Sequence, residues 1–233
     1  MTGVWFTYGP DAACLEQSAG AFRDAAPDQR VCLLDDAAEP LPDAAVARIA
    51  PDHYERTAWP RRGNLRGWTH ALCALDAYAR MAALTGAAGI LKLDCDTLLV
   101  DPSWIDTSAA VCGHDNPLWP CLHGGLGYWI RRDAAEAILA GLAGSRLEEG
   151  PVPVNEDHCI SWWAMRFCGG AVKVVPSDGG TARAFRFDKP DEDYTGAVAL
   201  TFGDRHLIQG PETGKRAVVA AAMRRFREAL AAR

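Results

Sequence analysis

The sequence predicts an α/β domain, a mostly parallel, Rossmann-like sheet flanked by helices. Three observations carry that expectation. Short runs rich in β-branched and aromatic residues alternate with helix-length amphipathic segments through the first hundred positions, the pattern of successive strand-helix units. Apolar residues make up 49% of the 233 positions, enough for a substantial core. No internal repeat or low-complexity linker interrupts the chain, so all elements are assigned to one domain.

Gly3 to Tyr8 reads as the first strand, closed by Gly9-Pro10, with Asp11 placed to cap a helix running to about Asp24. Arg30 to Leu34 makes a second strand, stopped by Asp35-Asp36, and a weak helix follows over Pro42 to Ala50. Residues 51–63, rich in proline and arginine, read as a loop into a long helix over Asn64 to Leu84, which Gly86 and Gly89 end. The next strand carries Asp94 and Asp96. Beyond residue 100 the pattern is less regular, with strands at Ala109 to Gly113 and Gly127 to Ile130, helices over Asp133 to Ala143 and Glu156 to Phe167, and a strand at Ala171 to Val175. Residues 177–197, with Gly179-Gly180, several charges and Pro190, suit either a flap over a ligand or an idle surface loop. A strand at Val198 to Phe202 and an amphipathic helix over Thr213 to Arg233 follow.

The charge balance, 24 basic against 30 acidic side chains, leaves no electrostatic footprint for nucleic acid. The opening Met1-Thr-Gly-Val-Trp-Phe has no basic region before a long apolar stretch, and no later run reaches the span of a membrane, so a cytoplasmic protein is expected. Richness in alanine and arginine suggests a bacterial source. The eight cysteines are scattered, with no C-x-x-C pair, and read as reduced core thiols, disulfides being the alternative.

The most informative segment is Ile90-Leu-Lys-Leu-Asp-Cys-Asp-Thr-Leu-Leu-Val100, an apolar strand running into two carboxylates one residue apart. Residues two apart on a strand share a face, so Asp94 and Asp96 can aim together at a hard cation that grips a phosphate. The alternative for Asp94 is a turn cap. Asn155-Glu156-Asp157 opens an amphipathic helix, where acids suit the helix dipole whether or not they do chemistry. Trp119-Pro-Cys-Leu-His-Gly-Gly-Leu-Gly-Tyr128 combines close-approach glycines with aromatics that can stack on a sugar or simply pack. Tyr8 and Gly9 end the first strand, the ordinary place for a nucleotide in an open α/β sheet. Arg61, Arg62 and Arg66 can meet a diphosphate or serve as solvated loop charges, and Arg66, at the helix start, is preferred. Of Trp162 and Trp163 on the Glu156 helix, at least one is expected in the core, leaving the other free for an acceptor.

These segments resemble the β-1,3-glycosyltransferases, the family of β-1,3-galactosyltransferases and Fringe. The strand with Asp94 and Asp96 resembles their "lKtDDDtfv" segment. Asn64-Leu65 stands where they have "NLTLK", Gly124-Gly125-Leu126-Gly127-Tyr128 is similar to "GGGYvlS", Asn155-Glu156-Asp157 to "EDV", and His206 to a late metal-binding histidine. The likeness covers about residues 50–210, with Cys95 and Arg131 departing from the family's aspartate and serine. It implies a GT-A type single domain, with a donor half over about residues 1–100, an acceptor and catalytic half over about 101–212, and a C-terminal helix over 213–233. The implied reaction moves a hexose or N-acetylhexosamine, with inversion, from a UDP-sugar to a hydroxyl of a saccharide or glycosylated acceptor. Mn²⁺, or Mg²⁺, would be held by Asp94, Asp96 and His206, a nitrogen ligand favouring Mn²⁺ over Ca²⁺. Tyr8, Gly9, Arg66, Asp94, Cys95 and Asp96 would bind the donor, and Trp119, His123, Gly124, Gly125 and Tyr128 the sugars. Asp157 would act as general base with Glu156 in support.

Two rival readings stand beside this one. Asp94-Cys-Asp-Thr also resembles the first motif of aspartate-based phosphatases, but that motif normally opens its domain and has glycine before the threonine. A non-catalytic nucleotide-sugar-binding protein is the other. The C-terminal helix, with Lys215, Arg216, Arg224, Arg225, Arg227 and Arg233 beside an apolar face of Val218, Val219, Ala222, Met223, Phe226 and Leu230, is expected to dock on the sheet with its arginines solvated, or to contact an anionic membrane surface.

Overall fold

The structure is a computed structural model, and it describes residues 1–57, 68–116, 119–122, 126–144, 156–169, 171–176, 182–203, 208 and 211–232. Strand β1 (Thr2–Thr7) lies inside the parallel part of the main sheet. It pairs in parallel with β2 (Arg30–Asp36) on one side and with β4 (Gly89–Lys92) on the other, and β2 pairs in parallel with β3 (His53–Thr57). Beyond β4 the sheet turns largely antiparallel. There β8 (Tyr128–Arg131) joins β4, β6 (Val111–Asn116) joins β8, β7 (Trp119–Leu122) joins β6, and β9 (Val172–Val175) pairs in parallel with β6. The strand order is thus β3-β2-β1-β4-β8-β6-β7. A smaller sheet holds β10 (Ala182–Ala184), β11 (Ala199–Thr201) and β5 (Thr97–Leu99).

Strands β1 and β2 are buried along almost their whole length because helices cover both faces, which is why they read as continuous apolar runs. On one face lie α3 (Trp68–Thr85), α4 (Arg132–Ala143) and α5 (Glu156–Phe167), packed around Val4, Leu34, Ile90 and Ile130. On the other lie α1 (Ala12–Ala25) and α2 (Asp43–Ile49), packed around Trp5, Leu33, Leu91 and Trp129. Alternate strand residues therefore serve opposite cores, as the pleat requires. Helix α1 is apolar on two sides. Leu15, Ala19 and Phe22 meet the sheet, while Cys14 and Ala21 meet Val219, Ala220 and Met223 of α6 (Glu212–Ala231). Gly20 lets α6 come close, since a Cβ there would collide with the guanidinium of Arg227.

Several expectations are corrected. The segment read as a loop contains β3, a polar and half-exposed edge strand that forms through pairing with β2, which side-chain periodicity does not register. Asp94 and Asp96 do not sit on a strand; they lie in a turn between β4 and β5, closed by the Thr97 amide on the Asp94 carbonyl at 3.1 Å. Of the segment 177–197, residues 177–181 lie outside the described set; 182–197 is largely exposed, with Phe185 and Tyr194 anchoring it to the core that α6 covers. Helix α6 docks on α1 and the small sheet, not on the main sheet, and two of its arginines are engaged within the protein rather than solvated. Asp11 does not cap α1; its carboxylate takes Arg216 instead.

Other expectations hold. The seven described cysteines are free thiols, and burial pushes Cys32 and Cys159 up to about 12. Trp163 is core while Trp162 is only partly buried. Among the described residues no helix is long and apolar enough to cross a membrane.

Gly127, just before β8, has a φ of 85°. A Cβ there would lie 2.7 Å from the Lys92 carbonyl oxygen and from Cδ2 of Leu93. Gly127→Ala should therefore lower the unfolding free energy by about 2–3 kcal/mol, combining left-handed strain with overpacking. Urea denaturation measures this, and a loss under about 0.5 kcal/mol would mean that the start of β8 can shift at little cost.

Candidate active site

In an open α/β sheet the binding crevice forms beyond the C-terminal strand ends, where connections depart in opposite directions. Here β1 is flanked by β2 and β4, and their C-terminal ends bring Tyr8, Asp35 and Lys92 to one edge of the sheet. The Gly9 amide donates to the Glu39 carbonyl at 2.6 Å, tying the end of β1 to the loop after β2. Arg216 of α6 lies with its guanidinium carbon 4.9 Å from the centroid of the Tyr8 ring and donates to both the Tyr8 hydroxyl and Asp11. The C-terminal helix is thereby part of the wall beside Tyr8.

The acidic turn is held from below by α1. The Ser18 hydroxyl donates to the Thr97 carbonyl at 2.6 Å and lies 3.3 Å from that of Asp94, while accepting from Nε1 of Trp5 at 2.9 Å. The turn's far side is fixed by the Phe202 amide on the Asp96 carbonyl at 2.8 Å. The Asp94 side chain is 43% exposed and Asp96 is partly exposed. Cys95, expected among the donor-binding residues, points inward: its thiol donates to the Phe6 carbonyl at 3.5 Å and is buried. A turn, unlike a strand, sends the middle residue of the triplet toward the core while leaving the outer two near solvent.

Beneath the turn lies a buried cation. Nζ of Lys92 is 2.7 Å from Oδ1 of Asp94 and 3.2 Å from Oε1 of Glu156, and 5.7 Å from the centroid of the Tyr128 ring. Burial works against its charge, but Asp94 and then Glu156 carry its pKa well above the ordinary lysine value. With the folded value raised, the stability from this pairing is present below the unfolded lysine value of about 10.4 and is lost only as pH rises through the raised one. At neutral pH the ion pair is intact. Tyr128, expected to stack on a sugar, is 0% exposed, and its hydroxyl lies 3.0 Å from that of Tyr78. Burial pushes both phenols up, so they stay protonated. Tyr128 is thus a wall of the lysine cavity and no platform for a ligand.

Glu156 and Asp157 open α5, whose first turn meets the acidic turn through Lys92. Asp157 is 5% exposed; its Oδ1 accepts from the His158 amide at 3.0 Å and its carbonyl accepts from the Ser161 hydroxyl at 2.7 Å. The structure thus brings Asp94, Glu156 and the helix that carries Asp157 together. Arg66, His123, Gly124, Gly125 and His206 lie outside the described residues, and of Trp119 only its place in β7 is described. Among the described residues no group of three or more His, Cys, Asp and Glu side chains is arranged to hold a metal ion. Two carboxylates in one exposed turn nonetheless suit a hard cation that keeps waters and takes phosphate oxygens for its remaining positions.

Lys92, Asp35 and Arg216 also stand at this end of the sheet, where no motif of the sequence singles them out. Asp35 is fully buried at the end of β2; its Oδ2 accepts from the Leu41 amide at 2.9 Å and the Tyr54 hydroxyl at 2.5 Å, while its Oδ1 has no partner among the described residues. Its signal was an acid at the end of an apolar strand. Lys92 was signalled by a lone cation inside an otherwise apolar strand, which a buried position must explain.

No protein-family model matches the sequence, and no curated protein matches it. Solved structures do. An active-site mutant of LgtC superposes with a TM-score of 0.51 at 15% identity over 95% of this chain and 96% of its own. A glycosyltransferase involved in glycosylation of the major capsid of PBCV-1 gives 0.53 at 13% identity over 96% and 98%. The glycosyltransferase GlyE of Streptococcus pneumoniae TIGR4, in its apo form, gives 0.54 at 10% identity over 97% and 63%. The chain has the GT-A glycosyltransferase fold. In that fold its acidic turn follows the central strand β4, and α5 returns to the same end of the sheet.

Ser18→Ala would strip the GT-A core of the hydroxyl that joins Trp5 to the acidic turn. Leaving the Trp5 Nε1–H and the Thr97 carbonyl unpaired should cost about 2–4 kcal/mol. Denaturant unfolding with tryptophan fluorescence measures it, and an unchanged midpoint would mean that another group takes over these bonds.

Proposed function

We propose that this chain is a metal-dependent, inverting glycosyltransferase of the kind the β-1,3-glycosyltransferases represent, moving a hexose or N-acetylhexosamine from a UDP-sugar to a hydroxyl of a saccharide or glycosylated acceptor. The observation that supports it best is the meeting of the acidic turn and the first turn of α5 across Lys92, at the strand ends of a GT-A sheet. Donor-side acids and a base-bearing helix, far apart in sequence, share one edge of the fold.

On this reading Tyr8 and Gly9 line the nucleoside side of the crevice, and Asp94 and Asp96 face the diphosphate. Asp96, the last acid of the pair, is the leading metal ligand. A divalent cation held there would offset the charge that grows on the leaving diphosphate, a contribution of several kcal/mol. Asp157 takes the proton of the acceptor hydroxyl as that oxygen attacks the anomeric carbon, and Glu156 supports it by holding the start of α5 against the turn. Arg66 and His206 extend the donor and metal shells, and Trp119, His123, Gly124 and Gly125 border the acceptor side.

The first test is a panel of nucleotide sugars with Mn²⁺, read as binding and as slow donor hydrolysis, with p-nitrophenyl phosphate as control. Hydrolysis of the control but of no donor would favour the phosphatase reading, and donor binding without hydrolysis or transfer would favour a non-catalytic binder. Asp96→Asn should abolish Mn²⁺-dependent UDP binding while leaving the fold intact, because it removes a charge from a partly exposed turn. Calorimetry decides this, and parental affinity in the variant would remove Asp96 from the metal site. Asp157→Asn should keep donor affinity within about twofold yet lower kcat by about 10²–10⁴-fold, as expected for a group acting in the transition state. Wild-type turnover would move the base elsewhere.

A further inference from the structure

Lys92 is a charged side chain with almost no access to water, and such a group is retained only with partners of opposite charge. Among the described residues it forms ion pairs with two acids from different parts of the fold, Asp94 of the acidic turn and Glu156 of α5. One ammonium is therefore shared between these two carboxylates, of which Asp94 is 43% exposed and Glu156 only 13% exposed. The tyrosines on the other side, Tyr78 and Tyr128, bond to each other through their hydroxyls and add no compensating charge. How much of the Asp94 charge is left for a ligand thus depends on how strongly Glu156 draws on the same cation.

We infer that Lys92 is a positioning residue that sets the affinity of the acidic turn for a divalent cation with a nucleoside diphosphate, and that it couples this affinity to α5 through Glu156. The inference rests on the donor reading above. It makes a prediction of sign that simple structural support does not. Removing the ammonium, as in Lys92→Met, leaves Asp94 with its full charge and tightens cation binding. Neutralising Glu156, as in Glu156→Gln, hands the ammonium wholly to Asp94 and weakens it. Loss of packing or of turn geometry would instead weaken binding in both variants.

The experiment is calorimetric titration of UDP into the full chain with saturating Mn²⁺, and again in EDTA, for the parent, Lys92→Met, Lys92→Arg and Glu156→Gln, with folding checked by circular dichroism. The expected result is Mn²⁺-dependent affinity tighter by about three- to tenfold in Lys92→Met and weaker by a similar factor in Glu156→Gln, the scale of a unit charge acting a few ångströms away through a dielectric near that of water. Lys92→Arg, which keeps the cation, should stay near the parent. Affinity in EDTA should not change. Weakening in both Lys92→Met and Glu156→Gln, equal changes with and without metal, or no change in either variant would overturn the inference. Should Lys92→Met fail to fold, Glu156→Gln decides alone through its effect with Mn²⁺ set against its effect in EDTA. A parent chain that binds UDP no better with Mn²⁺ than without it would sink the donor reading and the inference with it, a result distinct from a parent that responds to Mn²⁺ and variants that do not differ from it.

Discussion

A lysine ammonium cannot be buried alone, and the arrangement of the active end of this protein follows from that constraint. Lys92 ends the central strand β4, so its charge is delivered to the edge of the sheet by the most buried part of the fold. Pairing it requires Asp94 to fold back over the strand end and Glu156 to arrive from α5. The two segments that carry the candidate chemistry are drawn to one point by the same electrostatic need. Removing either acid would leave a buried charge short of a partner, a loss usually worth several kcal/mol.

The turn that holds the acids is supported by a second set of contacts with a different character. Ser18 on α1 passes hydrogen bonds from Trp5 in β1 to the carbonyls of the turn, linking the centre of the sheet to the site through groups that have no water to turn to. Helix α1 is itself clamped between the sheet and α6, and Arg216 of α6 reaches the ring of Tyr8 at the end of β1. The C-terminal helix therefore has an architectural part in the site. Its arginines divide accordingly: Arg216 and Arg227 are spent on Asp11 and Asp24, while Arg224 and Arg225 stay exposed.

The fold is shared with glycosyltransferases to which the sequence is 10–15% identical. Such distance is expected when a sheet order and a set of strand ends, rather than particular core side chains, define the binding crevice. Many apolar residues fill a two-faced parallel sheet equally well, so the core drifts while the topology stays. Function in such a fold then depends on particular side chains at the strand ends, and the function proposed for this chain turns on Asp94, Asp96, Glu156 and Asp157.

The amino-acid sequence by itself determined the α/β class, the central strands, the long helices and the positions of the candidate acids, because alternation, helical periodicity and an acidic pair after an apolar run are local signals. It also put at least one of Trp162 and Trp163 in the core, since adjacent residues on a helix point to different sides. Only the tertiary structure decided that β3 is a strand, since an edge strand of His-Tyr-Glu-Arg-Thr is held by backbone pairing with β2 and carries no apolar pattern of its own. It decided that Cys95 and Tyr128 turn inward, because that depends on a tight turn and on a facing tyrosine distant in the chain. And it decided the role of Lys92, whose partners come from a turn and from a helix far along the chain: a charge is visible in sequence, but whether it is solvated or buried between two acids is a property of the packed molecule alone.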